Sequence, residues 1–156
     1  MIGSVFGAFL AALGFALLYQ VPLNQAWVSG VVGAAAWWAT SQLGPDGTRG
    51  LLGNFLAALT VGVLGELAAR WRRAPASLFM VPGIIAFVPG FEAYRAMVAV
   101  LQNHLLSGIE LAVRALMSAA ALGLGLAVAT AVLRPVLSGW AGGGAAISRT
   151  SGKGGD

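Results

Sequence analysis

Glu92, Tyr94 and Arg95 follow directly on Val88-Pro89-Gly90, in a chain that is otherwise poor in charge. Glu92 and Arg95 are three residues apart, so on a helix they share a face. Together they could hold a small zwitterion. The planar guanidinium suits a carboxylate, and Glu92 could take an ammonium group or relay a proton. The structural alternative stands beside this one. Glu92 would complement the positive start of a new helix, and Arg95 would pair with it or snorkel. Either reading offsets the cost of a charge in apolar surroundings. Glu66 is a further candidate, although its spacing of four from Arg70 suits a helix ion pair and favours a structural role. Ser107-Gly108-Ile109-Glu110 fits a capping box ahead of an apolar run, with Arg114 four residues beyond Glu110. His104 is the single histidine, which excludes a multi-histidine metal site and suggests an interfacial residue.

The backbone that leads into these groups is unusual. Val-Pro-Gly occurs at residues 81–83 and again at 88–90. Proline removes a backbone donor and clashes with the preceding turn, and glycine next to it adds freedom. Two such pairs in succession predict an interrupted helix, so Pro82, Gly83, Pro89 and Gly90 join the candidates. A continuous helix from Ser77 to Leu106 would run about 45 Å, against a hydrocarbon core of about 30 Å. It must tilt, protrude or break. Irregular backbone at membrane depth is tolerated where protein or a watery cavity surrounds it, and broken helices in transporters bind substrate near the midplane. A pair of proline kinks used only for packing is the alternative.

The rest of the chain has to hold this segment in a membrane. Of 156 residues, 58% are hydrophobic and 9% charged, with a mean hydropathy of +0.85. Soluble domains carry about 25% charged residues. The predicted fold is therefore an all-α integral membrane protein of about five transmembrane helices. The segments are Ile2 to Tyr19, Ala26 to Leu43, Leu51 to Ala69, the broken stretch from Ser77 to Leu106, and Ile109 to Leu133. A span needs roughly 20 apolar residues, and each segment but the longer broken one is near that. The first carries no Lys or Arg and reads as a retained helix rather than a signal peptide. Gly44-Pro45-Asp46-Gly47 predicts a turn. Residues 1–137 form the helical domain. Residues 138–156, rich in Gly, Ser and Thr, predict a disordered tail. Small residues at spacings of four, Gly3-Gly7-Ala11 and Ser29-Gly33 among them, imply close helix neighbours in the chain, in a partner or in a homo-oligomer.

Arg70, Arg72 and Arg73 follow the third segment, and Arg134, Arg149 and Lys153 follow the fifth. Five spans place both groups on one side, which the positive-inside rule makes the cytoplasm. The net charge of +4 punctuates apolar runs instead of covering a polar face, so nucleic acid is not an expected partner. The absence of cysteine excludes thiol chemistry and disulfides. No His-Glu-x-x-His or phosphate-binding Gly-Lys-Ser/Thr pattern occurs. Neither an enzyme nor a cofactor is expected.

The stretch from Val81 to Met97 resembles the threonine/serine exporter family, and specifically the small integral-membrane subunit of its split form. Gly14 to Pro22 is similar to the family's first helix exit. Gly47-Thr48-Arg49 resembles its loop, and Gly62 to Pro75 its Gly-rich helix with a basic, Trp-containing exit. The likeness covers roughly residues 5 to 135. It implies proton-driven export of small amino acids such as threonine and serine, or of a dicarboxylate such as succinate. It also implies a bacterial inner-membrane location and a second, larger membrane subunit. A non-transporting scaffold or assembly subunit is the competing expectation, and solute flux discriminates the two.

Overall fold

The computed structural model describes residues 2–43 and 50–142, and within them every regular element is helical. The order is α1 (Ile2–Leu18), α2 (Leu23–Ser41), α3 (Leu51–Arg72), α4 (Ser77–Ile84), a 3-10 turn (Ile85–Phe87), α5 (Gly90–Leu101) and α6 (Leu105–Gly142). The Gly44 to Gly47 turn expected from sequence lies outside the described residues. α6 runs past Ser138, where the tail was expected to begin, and residues 143–156 lie outside the description.

Three helices end in the same way. Gln20, Arg73 and Asn103 have φ of 57°, 52° and 63°. In each case the next amide turns back to a carbonyl five residues earlier: Val21 to Ala16, Ala74 to Ala69 and His104 to Ala99, all at 2.9–3.0 Å. This Schellman closure satisfies carbonyls that a helix end otherwise orphans. Glycine is the usual residue there, yet none of the chain's 23 glycines is used. Several of them instead let helices touch. A Cβ on Gly62 would collide with Ala129 of α6, and one on Gly83 would sit 3.0 Å from Val32 of α2. Backbones brought this close gain dispersion contact along their length, which is what holds helices together in lipid.

α1 lies antiparallel to α2, and buries Ala8, Ala12 and Ala16. Gly3 and Gly7, expected from their spacing to pack, have no atom within 4 Å of a built Cβ. The contact stripe is thus displaced from the Gly3-Gly7-Ala11 row. Trp27 of α2 meets Trp71 of α3 at the opposite chain ends of their helices, so α2 and α3 are antiparallel too. α4 descends between them: Phe79 and Pro82 are fully buried, and Gly83 lies against Val61 near the middle of α3.

α6 packs chiefly on α3, and the two run in the same direction. Leu51 and Leu52 share a groove with Leu116 and Met117, while Gly62 meets Ala129 further along both helices. α5 packs on α6 in an antiparallel hairpin, with Gly108 against Val100. About ten residues at the start of α6 therefore precede the level of Leu51, so the hairpin reaches about 15 Å beyond the start of α3.

Two helices are long and apolar enough to cross a membrane: α3, and Leu105–Leu133 of α6. The segment Ser77–Phe87 with Gly90–Leu101 passes as a pair bent by 45°. α1 is apolar but has 17 residues. α2 has 19, diluted by Asn24, Gln25, Ser29, Thr40 and Ser41.

Candidate site at the broken helix

The first Val-Pro-Gly lies inside α4, and the helix passes through Pro82 unbroken. Pro82 has no N–H, so the Leu78 carbonyl loses its usual donor. Ser29 of α2, fully buried, supplies the replacement: its Oγ donates to Leu78 O at 3.0 Å. A neighbouring hydroxyl re-satisfies the freed carbonyl, which is how proline is tolerated in apolar helices. Sequence reasoning took Ser29 only as a small residue. Its spacing from Gly33 was visible, but its partner 49 residues away was not.

The break itself falls at the second repeat. After the 3-10 turn, Val88 is extended, with φ −62° and ψ 128°, and Pro89 follows at ψ 44°. α5 then opens at Gly90. Nothing lies within 4 Å of a Cβ built on Gly90, so space remains open beside the new helix start. Phe87, just before the break, is buried with Ala57, Ala58 and Leu122 and meets Trp37 at 5.6 Å with the rings tilted by 38°. Asn54 and Ser118, both buried, lie one turn from Ala58 and Leu122 respectively, toward the end where α5 emerges.

The candidate residues fall in three places. Pro82 and Gly83 are buried at mid-depth of the bundle. Glu66 is buried on α3 and pairs with Arg70 at 3.6 Å, as its spacing predicted. Pro89, Gly90, Glu92, Tyr94 and Arg95 lie at the break and on the projecting hairpin, away from mid-depth. Glu92 and Arg95 share α5 but make no ion pair. Among the described residues such pairs join only Glu66 to Arg70 and Glu110 to Arg114. Glu92 is half-buried, and its Oε2 is buried without a hydrogen-bond partner. Arg95 is exposed, with its guanidinium 5.8 Å from the Phe91 ring.

Tyr94 and Arg95 line an open cleft of about 310 Å³ between α5 and α6, with Gln102, His104 and Ser107 on its other walls. That volume is at the lower end of small-molecule sites. Five polar side chains converge there, and Arg95, Tyr94, Gln102 and Ser107 can all donate to a carboxylate. Ser107 reaches the cleft because the expected capping box does not form. Asn103 turns the chain so tightly that α6 begins at Leu105, which puts Ser107 inside the helix. Glu110 bonds Arg114 at 2.7 Å instead.

A family model described as Threonine/Serine exporter, ThrE, matches residues 4–132. The chain belongs to the threonine/serine exporter family. The match takes in α1 to α5 and most of α6, so it includes the break, the hairpin and the buried Ser29–Leu78 contact. Membership supports a membrane exporter. No solved structure matches it.

Proposed function

We propose that this chain is the small membrane subunit of a two-part secondary exporter of small amino acids of the threonine and serine type, or of a small dicarboxylate such as succinate. The observation that carries this reading is the helix break at Val88-Pro89. Among the described residues it leaves Glu92 with a buried, unpartnered oxygen and Arg95 with no ion pair, next to open space at Gly90. Broken helices in transporters receive charged solutes near the midplane; here the free polar groups lie toward the end of the bundle where α5 emerges. Arg95 takes the substrate carboxylate. Glu92 takes the ammonium group or relays a proton, so export is proton-coupled and no catalysis is involved. Five spans, an inner-membrane location and a cytoplasmic C-terminus complete the proposal. A second, larger membrane subunit supplies the remainder of the path, in keeping with the family likeness.

Flux into and out of vesicles tests it, with and without the co-expressed partner, over a panel of amino acids and dicarboxylates. Arg95→Gln should cut export by roughly tenfold or more, the loss of a charge-assisted hydrogen bond, while expression and insertion hold. Arg95→Lys should rescue only in part, because an ammonium lacks the bidentate fork. Normal efflux from the Glu92→Gln, Arg95→Gln double variant would sink the assignment. Equal loss of protein and of flux would mark a packing role instead.

A further inference from the structure

The end of the bundle where α3 stops carries a charged and aromatic corner that the transport reading does not use. Arg70, Trp71, Arg72 and Arg73 are consecutive there. α3, at 22 residues, is about 33 Å long, close to the thickness of a bilayer core. Its last turn therefore stands where hydrocarbon gives way to headgroups.

The three guanidinium groups are differently occupied. Arg70 pairs with Glu66. Arg72 donates to the Asn24 carbonyl of α2 and lies 5.4 Å from the Trp71 ring. Arg73 is exposed, and among the described residues its side chain has neither an ion pair nor a hydrogen bond. Glu66 is the one described carboxylate at this end, since Glu92 and Glu110 belong to the opposite end. Among the described residues, three arginines against one glutamate leave two positive charges in excess. Beside them Trp27 and Trp71 meet edge to face at 6.2 Å, both exposed. Paired indoles at a membrane edge, apolar on the face and polar at the N–H, are at home at headgroup level.

The residue type at position 73 points the same way. With φ of 52°, Arg73 occupies the left-handed position that closes α3, where glycine is the unstrained choice. The chain has glycine in abundance and places arginine here. Uncharged Gln20 and Asn103 fill the same position at two other helix ends, so the charge is what distinguishes Arg73.

We propose that this corner binds the phosphate headgroup of an anionic phospholipid. Arg73 supplies the free charge and Arg72 a second donor set. The Trp27–Trp71 pair seats the glycerol and the upper acyl chain. An acidic protein segment would find the same charge, but it would have no use for two exposed indoles at the edge of the hydrocarbon.

The test uses the full chain in detergent and in nanodiscs. Lipid retention is read by native mass spectrometry with phosphatidylglycerol or phosphatidylcholine. The wild type should retain phosphatidylglycerol over phosphatidylcholine by about fivefold or more, the preference that one basic residue near a surface confers. Arg73→Gly should lose that preference while its thermal stability stays equal or rises, because glycine relieves the left-handed strain. A purely structural Arg73 would give the opposite pair of results. Arg73→Lys should keep most of the preference. Equal retention of both lipids by the wild type overturns the proposal, and so does a preference that survives Arg73→Gly. Inorganic phosphate or glycerol phosphate that displaces the lipid at matched concentration would show a soluble-anion site and overturn it as well.

Discussion

Ser29 takes over at Leu78 the task that a backbone amide performs one turn away. Without its hydroxyl, the Leu78 carbonyl would have no donor. Such a loss costs about 1–3 kcal/mol. Ser29→Ala should therefore lower thermal stability in detergent by that order. Pro82→Ala restores the missing N–H, so the Ser29→Ala, Pro82→Ala double variant should recover most of the deficit. A cycle in which the two losses simply add would show that hydroxyl and proline are independent. The same scale separates the charged residues. Glu66–Arg70 and Glu110–Arg114 were legible from spacing alone, because helix geometry fixes which residues meet at four apart. The separation of Glu92 from Arg95 was not legible. Spacing of three allows a pair, but in the fold Glu92 is half-covered while Arg95 faces the cleft.

At the scale of elements, the starts of α1, α3 and α4 lie where apolar runs, Pro and Gly placed them, because these signals are local. What sequence could not place was depth. Two identical tripeptides behave differently: the one at Pro82 is held helical by α2, and the one at Pro89 breaks. The tripeptide is the same and the neighbours are not. α6 also outran its predicted start and end, beginning at Leu105 and continuing through Pro135 to Gly142. Glycine positions give the sharpest check. Gly62→Val would place a branched side chain where Ala129 stands, and overpacking of this kind costs about 1–3 kcal/mol. Gly90→Ala adds a methyl to open space and should leave stability unchanged within about 0.5 kcal/mol, the range of substitutions that touch nothing. Paired melting curves of the two variants in the same detergent measure both. Similar losses from both would mean that the space beside Gly90 is filled in the folded protein.

For the whole molecule, activity and orientation are the testable properties. Purified chain in liposomes should move no substrate unaided, and flux without a partner would remove the need for a second subunit. A reporter fused after Arg134 should read cytoplasmic, as the arginines after α3 and α6 require. The parallel course of α3 and α6 bears on a further question, that of parity. Two helices that run the same way through a bilayer begin on the same face and end on the same face. The chain leaves α3 on one face and must enter α6 from the other, so residues 73–104 make an odd number of crossings. One crossing is all that the bent pair α4–α5 has length for. A hairpin that dips in and returns to its own face is thereby ruled out for any arrangement in which α3 and α6 both cross. The chain contains no cysteine, so single cysteines at Ala76 and Asn103 can be labelled from either side without background. Labelling from opposite faces is the expected result, and it would make Val88-Pro89 the corner of a single through-going crossing, bent by 45°.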